Sequence, residues 1–190
     1  AGMVPAALGS DTGGSVRNPA SCCGIVGIKP TYGRVSRRGV IPLSFSLDNV
    51  GPLTRTVEDS ALILSIIAGH DPADPASSSR PIDDYFEELK DGVRGLKIGL
   101  IRHFYNEDLI AYAEMAEGIE SAAKLLSSLG AEVKEIRLPS LEQYSACSRI
   151  IMLSEAYAIH QKDLKLKPDS YSAASRRRIL PGAFFSAADY

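Results

Sequence analysis

Tryptophan is absent from this 190-residue chain and cysteine occurs only three times. Cys22 and Cys23 are adjacent and Cys147 is distant, an odd count without the spacing of a disulfide framework. Free thiols and a reducing, cytoplasmic setting are therefore expected. No apolar run approaches the roughly 20 residues of a membrane span and no secretory leader is visible, so no membrane partner is expected. An excess of one charge sign is missing too: the formal net charge of -2 removes the basic footprint of direct nucleic-acid binding. The short basic run Arg176–Arg178 reads as a solvated face. Neither metal-ligand spacing nor a cofactor motif occurs, so no metal and no cofactor is expected. An initiator Met is lacking as well. "AGMVPAALGS" reads as the tail of an apolar helix running into a strand. In the terminal "FFSAADY", Ser186 reads as the N-cap of a helix just beginning. Residues 1–190 are expected to be the central part of one longer domain, truncated at both ends.

What is present is ordinary globular usage, 45% apolar and 23% charged, enough for one sizeable core. "MVPAAL" is expected to be a buried strand feeding a turn, and "GIVGIKP" is a second apolar run closed by Pro30. The stretch from Thr31 to Arg55 is punctuated by Gly33, Gly39, Pro42, Gly51 and Pro52, which predicts an irregular surface segment of the kind that lines sites. Thr56 and Asp59 form a capping box before "SALILSIIAG", an all-round apolar pattern that predicts a core helix ending near Gly69. "HDPADPASSSRP" reads as an exposed loop carrying His70. "LKIGLIR", a helical period over about 109–129 with Gly130 as its stop, and "AEVKEIRLP" form a βαβ pattern, expected parallel and right-handed. A last long helix is expected over about 141–161. Interleaved strands and helices make the class α/β.

The chemistry concentrates in "LGSDTGGSVRNPASCCG", Leu8 to Gly24. A linker would not sit between apolar runs or need Asp11 and Arg17 as brackets. A phosphate loop requires a Lys after the glycines or a Gly-x-Gly-x-x-Gly spacing, and "GSDTGGSVR" has neither. A turn presenting a nucleophile fits better. Acyl transfer needs donors aimed at the oxygen that becomes negative, and backbone N–H groups supply them where the chain curls tightly. Gly13 and Gly14 permit the curl, and the Ser15 hydroxyl projects into the same nest of N–H groups. Asp11 and Arg17 can hold the loop closed.

From Ala6 to Ala61, "GSDTGGSVRNPASCCGIVGIKPTYGRVSRRGVIPLSFSLDNVGPLTRTVEDSA" resembles the core of the amidase signature family. "GLKIGLIR … LLSSLGAEVKEIRLP" is similar to the segment that follows it there. The resemblance implies an α/β fold with a central mixed sheet flanked by helices. It also implies cleavage of a small-molecule amide by a Ser–cis-Ser–Lys triad without cofactor. Ser15 matches the nucleophile, and the backbone amides of Thr12, Gly13, Gly14 and Ser15 match the oxyanion hole. The family's catalytic Lys and its bridging Ser, which lies in a "GGSSGGS"-type run, belong upstream of Ala1. Lys29, in the "GIKPTYG" element, is expected to be structural. His70, His103 and His160 are not expected to act on Ser15, since the family uses no His.

Three readings follow. The first is an amidase working through a Ser15 acyl-enzyme, to which "GVIPLSFSLDNVGPLTRTVED" reads as closer. The second is the glutaminase subunit of a tRNA-dependent amidotransferase. The third is a catalytically incomplete fragment or non-enzymatic module. For the full-length protein a homodimer stands as an open alternative.

Overall fold

In the computed structural model, which describes residues 2–190, the chain forms two units, Ala1–Leu89 with Arg149–Tyr190, and Lys90–Ser148. The first contains β1 (Ala6–Asp11), α1 (Arg17–Cys23), β2 (Val26–Gly27), β3 (Asn49–Thr54), α2 (Val57–Ile67) and the short α3 (Tyr85–Glu88). The second contains β4 (Lys97–Leu100), α4 (His103–Asn106), α5 (Ala113–Ser128) and β5 (Glu132–Glu135). The long α6 (Leu141–Leu166) begins in residues of the second unit and continues in those of the first, followed there by α7 (Ala173–Ile179). The expected α/β class holds: helices alternate with strands, antiparallel in one sheet and parallel in the other.

The segment expected to be irregular contains the central strand of the first unit. Here β3 lies between β1 and β2, antiparallel to both, with Gly9 opposite Gly51 and Leu8 opposite Pro52. Five of its six residues are buried. Gly51 and Pro52 act here as packing residues, not as punctuation. Pro52 has no N–H to give, but its carbonyl accepts from the Ile28 amide at 3.2 Å. A Cβ on Gly51 would strike the Ile28 carbonyl oxygen, so only glycine allows the two backbones to meet. The expected buried strand at "MVPAAL" is instead an edge strand displaced toward Asp11, and residues 2–5 form no helix. Leu8 is exposed while Asp11 is fully buried.

Helix α2 starts as its sequence requires: the Thr56 side chain accepts from the Asp59 amide at 3.1 Å. Its Leu64 packs with Val35, Val50 and Ala68, and Val40, Ile67 and Tyr85 close the cluster. Only one face is covered, however. Ile66 is 80% exposed, so the all-round apolar pattern overstates the burial of this helix. The loop after it is less free than expected. Asp71 accepts from the Ser36 hydroxyl at 2.7 Å, and buried Asp74 from the Arg37 amide at 2.8 Å.

In the second unit β4 and β5 are parallel, Lys97 opposite Glu132, with α5 between them in sequence, as expected of a βαβ element. The helix starts at Ala113, later than its apolar period suggests, because Tyr112 is extended (ψ 147°). Arg102 donates to Glu120 at 2.6 Å and to Glu135 at 2.5 Å. The guanidinium, helped by the Tyr105 hydroxyl, holds the Glu120 carboxyl down at about 2.

Back in the first unit, Ala156 and Leu164 of α6 pack on Ile179 of α7, with Leu43, Tyr157 and Tyr171 around them. The His160 ring bridges the Tyr171 hydroxyl (3.0 Å) and the Pro42 carbonyl (2.9 Å). At the C-terminal end Ser186 caps one turn, its hydroxyl accepting from the Asp189 amide at 3.2 Å. No described helix is long and apolar enough to cross a membrane.

Gly51→Ala is expected to destabilise the protein by roughly 1–3 kcal/mol, the usual cost of overpacking, read as a lower urea midpoint at unchanged slope.

Candidate active site

The turn after β1 is built on one side chain. Asp11, fully buried, accepts from the Gly14 amide at 2.7 Å, the Val16 amide at 3.2 Å and the Arg17 amide at 3.3 Å. The Arg17 guanidinium adds a two-pronged pair, Nε to Oδ2 and Nη2 to Oδ1, both at 3.0 Å. Burial alone would raise the Asp11 pKa. The Arg17 side chain and the three amides outweigh it and hold the carboxyl at about 2. A charge taken out of water is tolerated only when its lone pairs are filled, and here they are. The chain is thereby bent back on itself between Asp11 and Arg17. Gly14 sits at φ 123°, in the left-handed region, and its carbonyl accepts from Asn18 at 2.7 Å to open α1.

Ser15 is exposed on this turn and its hydroxyl has no hydrogen-bond partner among the described residues. The four amides expected around it divide into two sets. That of Gly14 is committed to Asp11, while those of Thr12, Gly13 and Ser15 meet no acceptor among the described residues. Thr12, Gly13 and Ser15 line a cavity of about 380 Å³ together with Leu43, Met152 and Arg178. The deeper walls are apolar, from Leu153, Ala156 and Ile179. Arg178 is exposed and has no ion-pair partner among the described residues. The basic run is thus split: Arg176 pairs with Asp169 at 3.6 Å, whereas Arg178 faces the cavity.

Behind the turn lies a polar network that sequence reasoning did not single out. The Thr12 hydroxyl donates to Asp48 Oδ1 at 2.5 Å, and Asp48 Oδ2 accepts from the Leu43 and Ser44 amides at 2.8 and 2.9 Å. The Ser44 hydroxyl donates to Glu155, which also accepts from the Ser46 amide and hydroxyl and from Tyr190. Burial raises the Glu155 pKa, and these donors reverse the shift to a net lowering. The available signal was a lone acidic residue inside "IIMLSEAYAI". Its partners Ser44 and Ser46 lie about 110 residues away in sequence, beyond any local pattern.

None of the remaining candidates hydrogen-bonds Ser15 among the described residues. Lys29 Nζ donates to the adjacent Pro30 carbonyl at 3.0 Å. His70 is exposed, His103 is buried in the second unit, and His160 is held by Tyr171 and Pro42. No group of three or more His, Cys, Asp or Glu side chains able to hold a metal ion occurs among the described residues.

The depressed Asp11 pKa makes stability acid-sensitive. The contribution, on the order of 2 kcal/mol, is fully present above the unfolded carboxyl value near 4 and is lost as pH falls toward the folded value near 2. The stability gap between the wild type and Asp11→Asn, measured by urea unfolding, should therefore shrink from pH 5 to pH 2.

A family model described as Amidase matches residues 1–183. A glutamyl-tRNA(Gln) amidotransferase subunit of Sulfurihydrogenibium sp. (strain YO3AOP1) is 43% identical over 208 residues, covering 100% of this chain and 42% of that protein. Among solved structures, the corresponding amidotransferase subunit from Thermotoga maritima matches with a TM-score of 0.77 at 42% identity, over 97% of this chain and 39% of that one. A chain from a vestigial protein complex bearing on the origins of an s-triazine catabolic enzyme matches with a TM-score of 0.89 at 37% identity, over 100% and 40%. This chain thus spans about 42% of the length of the first of these relatives. Sequence and fold agree on one conclusion: the chain belongs to the amidase family, the amidase signature enzymes.

Proposed function

We propose that this chain carries the nucleophile and the oxyanion donors of an enzyme that cleaves a C–N amide bond through an acyl-enzyme on Ser15. One observation carries the reading: a free Ser15 hydroxyl and the unpartnered amides of Thr12, Gly13 and Ser15 share one cavity, braced from behind by buried Asp11. Ser15 Oγ attacks the carbonyl carbon and forms the new C–O bond. The carbonyl oxygen takes up the negative charge beside those amides, where preorganised donors are worth most. Collapse then breaks the C–N bond, and the amine leaves with the proton taken from Ser15; water adds to the acyl carbon, the bond to Ser15 Oγ breaks, and Ser15 regains a proton as the acid departs. Gly14 shapes the turn in this scheme, because its N–H is held by Asp11. Asp11 and Arg17 are loop supports. No Lys or His side chain hydrogen-bonds Ser15 among the described residues. The proton of Ser15 is accordingly assigned to the Lys and bridging Ser of the family mechanism, outside residues 1–190.

The substrate side of the cavity supports a second, narrower reading. Two of the relatives named above are glutamyl-tRNA(Gln) amidotransferase subunits, and Arg178 offers a cation at the cavity wall that a free carboxylate could meet. Glutamine has both the side-chain amide and such a carboxylate. In this reading the protein is the glutaminase subunit of a tRNA-dependent amidotransferase and works with partner proteins. The three exposed, unpaired cysteines suit a cytoplasmic setting.

Ser15→Ala in the whole protein should lower kcat for amide hydrolysis by about three orders of magnitude or more with little change in fold. A fluorophosphonate should label Ser15 in the whole protein and leave residues 1–190 alone unlabelled. Near-normal turnover of the Ser15→Ala variant would refute the assignment. For the narrower reading, Arg178→Ala should raise KM for glutamine about tenfold or more, while leaving KM for an uncharged amide nearly unchanged.

A further inference from the structure

Two buried carboxylates hold the walls of the Ser15 cavity at a set width. Asp48 and Glu155 are 5% and 9% exposed, and neither has an Arg or Lys among its hydrogen-bond partners. Each is compensated only by N–H and O–H donors drawn from different walls. Asp48 ties the nucleophile turn, through the Thr12 hydroxyl at 2.5 Å, to the Leu43 and Ser44 amides. Ser44, itself fully buried, passes the tie to Glu155 on α6. Glu155 is further gripped by Ser46 and, at 2.7 Å, by the Tyr190 hydroxyl. Three cavity walls are thus strung on one line: the turn, the segment around Leu43, and the α6 face that carries Met152 and Ala156.

We propose that Asp48 and Glu155 are positioning residues, a relay that sets where the Thr12–Ser15 amides point by fixing Thr12 against α6. This rests on the reading of Ser15 as nucleophile. The physical reason lies in the cost of buried charge. A carboxylate out of water is stable only while every donor stays in place, so any drift of Thr12 leaves an acceptor unfilled. The relay therefore resists the small displacements to which transition-state donors are most sensitive. Asp11 fixes the shape of the turn, whereas the relay fixes its place against the rest of the cavity. The Thr12 hydroxyl is the side-chain hydrogen bond that joins the turn to Asp48.

The test uses the whole protein and follows kcat, KM and melting temperature for one amide substrate. Thr12→Val removes only the hydroxyl that joins the turn to Asp48, and Thr12→Ser restores it. Thr12→Val should lower kcat about ten- to a hundred-fold, the scale of a displaced catalytic group, with KM within about threefold of wild type and a modest drop in melting temperature, since Asp48 loses one donor and keeps the Leu43 and Ser44 amides. Thr12→Ser should recover most of the loss. Glu155→Ala should behave like Thr12→Val or worse. Glu155→Gln should recover most of the loss, because hydroxyl partners can turn to accept from its amide. If Glu155→Ala fails to fold, the two Thr12 variants and Glu155→Gln still decide. Wild-type kcat in Thr12→Val, an effect confined to KM, or a kcat loss that tracks lost melting temperature across the variants would overturn the relay. Ser15→Ala is measured alongside. If it is inactive while Thr12→Val and Glu155→Ala are normal, only the relay fails; if it stays active, the nucleophile reading fails first.

Discussion

Asp11 is a carboxylate with no contact to solvent, and the turn after β1 exists because that charge must be satisfied. Left unpaired, it would cost several kcal/mol. The chain meets this demand by folding three of its own amides and the Arg17 guanidinium around it. Doing so closes a loop in which Gly14 takes a positive φ and the flanking amides are left without internal partners. The free donors around Ser15 are thus the remainder of an electrostatic demand met elsewhere in the same turn. Polar groups not consumed by the fold are the ones available for chemistry.

The same logic recurs one layer out. Strand β3 brings Asp48 and Asn49 to the end of the sheet beside β1, whose last residue, Asp11, is paired with Asn49. On the other side of β3, Gly51 lets the Ile28 backbone beside β2 come close. On the far side, Ala156 and Ile179 pack tightly enough to bury Glu155 and leave it dependent on Ser44, Ser46 and Tyr190. Packing comes first in this chain of causes. Burial raises the cost of the charges, the charges recruit donors, and the donors fix the loops.

The arrangement built here is electrostatic: an exposed hydroxyl, oriented amides, and an apolar cavity with one cation at its wall. No side chain hydrogen-bonds the Ser15 hydroxyl among the described residues. Thr12, Gly13 and Ser15 give the cavity its unpartnered N–H and O–H groups, while Leu43, Met152 and Arg178 contribute side chains to its walls.

Local features were legible in the residues themselves. The capping of α2 by Thr56 and the bracket of Asp11 and Arg17 around the glycines follow from spacings of a few residues, and the parallel pairing of β4 with β5 follows from the strand–helix–strand order around α5. Where spacing misled, tertiary contact had overruled a local preference. Gly51 and Pro52 read as turn formers yet occupy a central strand, Gly51 because the Ile28 carbonyl comes too close for any Cβ, and Pro52 with its ring buried. The apolar circumference of α2 is buried on one face only, because the cluster around Val35 and Leu64 reaches no further. The residues themselves settle the Asp11–Arg17 bracket and the amides it consumes, since these groups contact one another within a span of seven. The folded chain adds which arginine of the basic run lines the cavity and that Glu155 reaches Ser44 and Ser46. Glu155 lies some 110 residues from those two serines, and no local pattern records a contact over that distance.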